Sequence, residues 1–459
     1  MKVLCALGFL LSAAVSLSSA ADFRAGAAAV RITPDRSLPM AGYYSTRMST
    51  GTHDDLMAKA LVIKSDGERA ALVVCDLITM TRAIVIEARD IIARETGIPA
   101  SHVMISATHT HTGPVLSSGS ARAKVDSSDS DSVREYTAQL PMRIAESVKL
   151  AAGKLTLARV SGALEKETSL SHNRRYFMKD GTVGWNPGKL NTNIVKAAGP
   201  IDPDVSVLRF DTVKTVPFAA YVNFAMHPDT TSGLLFSADF AYTLSRILSQ
   251  YRGPDFVTVF ANGTCGNINH VDVNWSEPQK GTNEAARLGT ILAADVFKAF
   301  THLKPITPGR LRARSETVTL DLAPLQPGDL ERASNILAQI GGKAAPKFLE
   351  QVSAVKALDV ASRQGAPYEV EVQVIALGDE VAWVGLPGEI FVELGLTIKD
   401  QSPFKHTFIA ELANGAIGYI PNQKSYDEGN YEPISARCAK GSGERLRDVA
   451  IKLLREMKR

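Results

Sequence analysis

The sharpest chemical signal in this chain is a pair of histidines two residues apart, His109 and His111, in Ser106-Ala-Thr-His-Thr-His-Thr-Gly-Pro114. They follow an apolar run, residues 103–106, and strand alternation puts both imidazoles on one face before Gly113-Pro114 breaks the chain. Imidazole is the commonest metal ligand, so the pair is a candidate metal-binding strand end; two surface or hydrogen-bonded histidines would give the same spacing. His227, in Asn223-Phe-Ala-Met-His-Pro228, closes another strand-like run. It suits a third ligand on a parallel neighbour, or a satisfied core or loop histidine. Glu389, in Leu386-Pro-Gly-Glu, sets a carboxylate at a strand-to-helix turn, to reach a metal or to cap the following helix, residues 390–399. Residues 418–432 are crowded with tyrosines (Tyr419, Tyr426, Tyr431), as packing or ligand contact would require. Residues 261–270 form an amide-rich turn with Asn267 and Asn269, able to bring backbone N–H groups to a substrate or simply to reverse the chain.

These residues need elements to position them. Residues 58–64, 70–76 and 103–106 read as short strands and 82–96 as a helix closed by Gly97-Ile-Pro, so 82–106 has the pattern of a crossover unit. Residues 117–132 are a Ser/Asp-rich loop, a lid or a plain solvated connection. A long amphipathic helix is expected over 133–152, strands over 205–210, 219–224 and 257–261, and helices over 240–250 and 283–300. Composition shifts at 305–308. Beyond it come a helical stretch over 329–363, strands 368–377 and 380–386 paired around Gly378-Asp379, and a closing helix over 443–459. No repeat, GxGxxG, P-loop or G-x-S-x-G elbow is present. The fold class this predicts is α/β (mixed α+β): a single large catalytic domain over residues 21–459 with mixed sheets flanked by helices, and a candidate subdomain over 305–459.

A chain of 459 residues that is 45% hydrophobic and 22% charged has ample core, which excludes a disordered tail, a fibrous repeat or a disulfide-stapled miniprotein. A net charge of +3 with no basic stripe argues against nucleic acid. Lys2, an apolar run over 3–11 and Leu17-Ser-Ser-Ala20 have the form of a secretory signal peptide cut after Ala20, giving a secreted or periplasmic protein. No later stretch approaches the ~20 apolar residues of a membrane span, although peripheral membrane contact stays open. Cys75, Cys265 and Cys438 allow one bridge and one buried thiol. Cys75 falls in the apolar run Ala71-Leu-Val-Val-Cys, and Cys265–Cys438 is the candidate bridge. As a nucleophile Cys265 lacks a paired base in the sequence.

In order and spacing, these runs resemble the neutral (non-lysosomal) ceramidase family. The family's THTHSGP matches Thr108 through Pro114, with Thr112 for serine; its N-R pair matches Asn173-Arg174; its strand-end histidine and following S-D match His227 and Ser237-Ala-Asp239. Its P-G-E-F matches Pro387-Gly-Glu389-Ile390, its tyrosine run matches 418–432, and its opening resembles Gly26 to Pro34 and Met40-Ala-Gly-Tyr43. The resemblance covers nearly the whole chain to about Ser435. It implies one Zn2+ held by His109, His227, Glu389 and Tyr426, with His111 and Arg174 lining the substrate pocket. Such an ion lowers the pKa of a bound water to ~7 and polarises a carbonyl. His111 would then carry the proton, and Arg174 or the amides around Asn267 and Asn269 would hold the oxyanion.

Two departures shape the expectation. The family's G-D-V-S-P-N reads Gly266-Asn-Ile-Asn269-His-Val271 here, so the serine has become Asn269 and covalent chemistry by that serine is excluded. Full-length ceramidases also continue into an immunoglobulin-like domain, which is not expected here. The resemblance therefore implies an exported zinc-dependent hydrolase of an amide or ester. Its substrate would be a small-molecule, lipid or glycan-derived compound other than ceramide. The alternative is a non-catalytic member that binds a lipid or glycan.

Overall fold

The computed structural model describes residues 22–340 and 346–458; the expected signal peptide, residues 1–20, lies outside them. Eight strands of the first half form one sheet: β1 (Arg24–Arg31), β2 (Met57–Ser65), β3 (Glu68–Cys75), β4 (Val103–Ala107), β5 (Thr156–Lys166), β6 (Asp204–Thr212), β7 (Pro217–Phe224) and β8 (Val257–Asn262). Their order is β8-β7-β6-β5-β1-β2-β3-β4, and Lys304–Ile306 adds beside β5. Only β7–β8 and β3–β4 are parallel within this path. Helix α1 (Arg82–Thr96) connects β3 to β4, as the expected crossover requires. Its ends follow from sequence: the Thr81 hydroxyl accepts from the Ile84 N–H, and Gly97, at φ 68, returns its N–H to Ala93.

Strand alternation divides the core into layers. Along β2, Ala58, Ala60 and Val62 face α1 and α2 (Asp131–Gly153), while Leu61 and Ile63 face the opposite way. At the other end of the sheet, α3 (Phe240–Arg252) and α4 (Thr282–Thr301) cover β6 and β7 through Val205, Val207, Val222 and Phe240. The second face of the sheet packs on a second sheet. That sheet has the order β9 (Leu311–Leu320), β10 (Tyr368–Leu377), β11 (Val381–Gly385), β12 (His406–Ala410). Leu72, Phe210, Tyr221, Ile375, Trp383 and Phe408 share this interior. The outer face of the second sheet, with Val372, Val374 and Val384, lies under α6 (Val392–Gln401) and α7 (Ser442–Lys458). The result is four layers, helices–sheet–sheet–helices, matching the expected mixed α+β class. Burial on both faces explains why the strands read as apolar runs. Residues 311–458 bury one face of their sheet directly against the first sheet.

Several expectations change in detail. Among the described residues the helical stretch over 329–363 holds two helices, Asp329–Ala338 and α5 (Phe348–Ser362), the second starting just after Pro346. Glu389 does not cap a helix. It lies in a two-residue strand, Glu389–Ile390, parallel to Tyr419–Ile420, and α6 starts after Phe391. The Cys265–Cys438 bridge is not formed. All three described cysteines are free and buried, and the Cys265 thiol donates to Glu411 Oε1 at 2.9 Å. Cys75 is a core residue, as expected. The 117–132 loop carries a short helix, Ala123–Asp126, and Ser120 and Ala121 donate to Asp359 of α5.

Candidate metal centre and its cavity

His109 and His227 leave the ends of β4 and β7, strands near opposite edges of the first sheet. Asn262, at the end of β8, ties the two loops together: its Nδ2 donates to the carbonyls of Thr108 and Met226, each one residue before a histidine, both at 3.1 Å. His109 itself sits at φ 73, a left-handed conformation that a non-glycine residue rarely adopts and that functional sites often hold. Its Nδ1 meets the Ile78 carbonyl at 2.8 Å, and the His227 Nδ1 meets the Cys265 carbonyl at 3.0 Å. Those contacts put the proton of each neutral ring on Nδ1 and leave Nε2 as a lone pair.

The two Nε2 atoms face each other at 3.0 Å, and His111 Nε2 stands 3.4 Å from that of His109. Glu389 Oε2 completes the group, 3.3 Å from His109 Nε2 and 3.6 Å from His227 Nε2. Two close approaches allow this packing. At Gly42 (φ 100) a Cβ would lie 2.6 Å from His111 Nδ1, and at Gly266 it would lie 2.5 Å from the Glu389 carbonyl oxygen.

The electrostatics follow from burial and crowding. Burial holds the His227 pKa well below the usual imidazole value, helped by Arg174 and His109. His111 is pushed down to about 3 by burial and by His109. For His109 burial also favours the neutral ring, but the Glu389 carboxylate outweighs it and the net shift is upward. Burial alone would raise Glu389; its histidine neighbours and the Tyr419 hydroxyl instead hold it far below the carboxylate range. Three imidazole nitrogens and one carboxylate oxygen thus converge where only a proton or a cation removes lone-pair repulsion. Neutral imidazoles with a carboxylate are a donor set that suits zinc.

Around this group opens a cavity of about 850 Å³, lined by His109, His111, Glu389, Tyr419 and Tyr431 among others. Tyr426, one of the ligands the resemblance implies, is not among the residues that line this cavity. Its hydroxyl donates to the Cys438 carbonyl at 3.0 Å, because the short helix Gln423–Glu428 turns that face toward the second-sheet side. The tyrosines at the site are Tyr419, whose hydroxyl helps hold the Glu389 carboxyl low and whose ring stacks on His227 at 6.5 Å, and Tyr431, 5.2 Å from the Tyr419 ring.

Arg174 is buried behind Tyr419 rather than in the cavity wall. It donates to Glu432 (2.8 Å), the Gly266 carbonyl (2.8 Å) and the Tyr419 hydroxyl (3.0 Å), and Arg175 takes the other oxygen of Glu432 at 2.9 Å. Asn269 is also away from the cavity wall, bonded to Asn186 and the Val271 N–H. Asn267 fixes the start of α6 through the Val392 N–H. Sequence reasoning missed Asn262, Tyr419 in its role beside Glu389, and Glu411. The Glu411 carboxylate accepts from Cys265 and the Ile390 N–H, and burial raises its pKa to about 8. Among them only Asn262 carried a signal, since an amide closes the strand immediately before Gly263.

Most of the chain superposes on a solved structure. The crystal structure of neutral ceramidase from Pseudomonas aeruginosa matches with a TM-score of 0.75 over 95% of this chain and 75% of that one, at 21% sequence identity. The fold is that of neutral ceramidase. A second structure, of a ceramidase complexed with C2, matches at the same TM-score and identity over 95% of this chain and 76% of its own. No family model and no curated protein matches the sequence. Among the described residues no helix is long and apolar enough to cross a membrane.

Proposed function

We propose that this chain is an exported zinc-dependent hydrolase that cleaves an amide, or an ester, of a small molecule other than ceramide. His109, His227 and Glu389 would hold the ion, and the phenol expected at Tyr426 is reassigned to Tyr419. The ceramidase fold supports the reaction class. The observation that carries the metal is the 3.0 Å approach of two Nε2 atoms whose Nδ1 partners are both backbone carbonyls. When bound, the ion would polarise the scissile carbonyl and bring the pKa of an attacking water to ~7.

The chain's own residues supply the rest. His111, kept neutral and half-exposed on the cavity wall, is placed to accept a proton from the attacking water and return it to the leaving group. The Tyr419 hydroxyl favours the ionised Glu389 and is itself held by Arg174, so Arg174 acts as a positioning residue for that phenol. Asn262 sets the spacing of the two histidine loops. No serine nucleophile is required. Residues 1–20 would direct export to a secreted or periplasmic location.

The test is metal content of the purified full chain, followed by chelation and readdition of zinc while an amide and ester panel is assayed. Stoichiometric zinc with activity lost and restored supports the proposal. Protein that takes up no divalent ion overturns it, and ion uptake with ligand binding but no turnover favours the binding-only alternative.

A further inference from the structure

The cavity extends away from the histidines to a wall that carries guanidinium groups. Four arginines line the cavity; Arg363 is spent on the Ala366 and Pro367 carbonyls and Arg82 lies 3.7 Å from Glu371, which leaves Arg122 and Arg437. Arg437 is held by Asp359, with Nε at 2.8 Å and one Nη at 2.5 Å from the same oxygen. The other oxygen of Asp359 accepts from the Ser120 hydroxyl at 2.9 Å and the Ala121 N–H at 2.7 Å. That carboxylate is therefore fully used as a clasp joining the 117–132 loop, α5 and the segment after the tyrosine run. Arg437 Nη1 remains, directed past Gly418, where a Cβ would lie only 2.7 Å from it; Tyr419 of the metal group is the next residue.

Arg122 stacks on Tyr44 (4.4 Å to the ring centre) and donates one Nη to the Tyr43 carbonyl at 2.9 Å. Its Nε lies 3.4 Å from Asp126, a carboxylate that also accepts from the Ser128 N–H. Among the described residues, Nη1 of neither arginine has a protein acceptor. Of the other acids in the lining, Glu371 is taken by Arg89 at 2.7 Å and Glu369 is exposed at the rim. Two like charges held in one partly buried cavity repel, and fixed guanidinium edges are the side-chain group best matched to a carboxylate.

We propose that the substrate is an amide bearing a carboxylate on its acyl portion, and that Arg122 and Arg437 receive this carboxylate while the scissile bond lies at the histidine end. The proposal rests on the hydrolase reading for its reaction, but the anion site itself is independent of turnover. It replaces the apolar acyl chain of a lipid amide with a charged one, and it gives Asp359 a role as the positioning residue for Arg437.

The test uses the full chain with zinc and succinyl, glutaryl and adipoyl 4-nitroanilides, each against its own neutral carboxamide. Calorimetry with succinate, glutarate and adipate on zinc-free protein runs beside it. The expected result is a kcat/KM at least about 10-fold higher for one acid than for its carboxamide, with that ratio collapsing about 10- to 100-fold in Arg122→Gln, as loss of a charge-assisted hydrogen bond entails. Arg122→Gln leaves the Asp359 clasp in place, so it is the primary variant. Turnover without any acid preference overturns the anion site and leaves the hydrolase reading standing. No turnover, but dicarboxylate binding that weakens in Arg122→Gln, supports the anion site and removes the hydrolase. Neither turnover nor Arg122-dependent binding overturns both.

Discussion

At one end of the cavity two of the donor atoms are oriented by main chain beside strand termini: Ile78 and Cys265 carbonyls hold two imidazoles, and the Asn262 amide joins their loops. At the other end the fixing centres on one side chain, with Asp359 gathering Ser120 and Ala121 from one distant segment and Arg437 from another. The first design tolerates almost no displacement, because two nitrogen lone pairs and a carboxylate oxygen must point at one place. The second fixes a charge and leaves its outer edge free for a ligand. Rigid chemistry sits on the sheet, and recognition sits on what covers it.

The largest effect expected from this contrast is at the histidine end. His109→Ala or His227→Ala should each abolish zinc retention measured by elemental analysis and lower kcat/KM by about 10³-fold or more, the several kcal/mol a Lewis-acidic ion supplies. Retention of stoichiometric zinc by both variants would break the assignment. At the far end, Asp359→Ala strands the buried Arg437 charge and should cost about 3–5 kcal/mol in urea unfolding while zinc content stays at one per chain. A variant that loses zinc as well would show that the two ends are not separately built.

Asn262→Ala tests the staple between the histidine loops. With the ligands intact, zinc affinity should fall about 10- to 100-fold, the range typical of groups that orient ligands. Competition against a chromophoric chelator measures it, and unchanged affinity would mean that the strand ends alone set the spacing.

The pH dependence sharpens the same point. Because Glu389 raises the His109 pKa, the proton on that ring must leave before zinc binds, so apparent affinity should fall about tenfold per unit as pH drops below it. In zinc-free protein the His109 contribution to stability is complete below pH ~6.5 and is lost as pH rises through its higher folded value. His227 and His111 act oppositely: their folded values are depressed, so stability falls as pH drops below ~6.5, where the unfolded chain takes up protons. Zinc-free protein should therefore be most stable near neutrality in chemical denaturation, and a monotonic pH profile would contradict the charge assignments.

What could be read from sequence tracks this division between the two ends. His109, His111, His227 and Glu389 were legible because strand ends keep ligands inside short contiguous motifs, and the β3–α1–β4 crossover was legible because Thr81 and Gly97 mark both helix ends. The pairing of β10 with β11 around Gly378-Asp379 was legible for the same local reason. The packing of two sheets face to face was not, since alternation shows that both faces are buried but not against which partner. The Asp359 clasp was invisible: residues 120, 359 and 437 share no local pattern, and each alone is an ordinary surface-type side chain.

The smallest expected effect concerns the residue on which resemblance and geometry part. Tyr426 aligns with a tyrosine run, and spacing alone could not tell which of three phenols turns inward; that depends on the short helix Gln423–Glu428, whose Asn422 cap fixes its rotation. With its hydroxyl on the Cys438 carbonyl, Tyr426→Phe should cost about 0.5–1.5 kcal/mol of stability, one neutral hydrogen bond, and leave zinc content and kcat/KM within about twofold of the parent. Tyr419→Phe, made in parallel, removes the hydroxyl between Arg174 and Glu389 and should lower zinc affinity by about 10-fold or more. The reverse ranking, with zinc lost from Tyr426→Phe and kept in Tyr419→Phe, would restore Tyr426 as the ligand and require the 423–432 segment to rearrange when the ion binds.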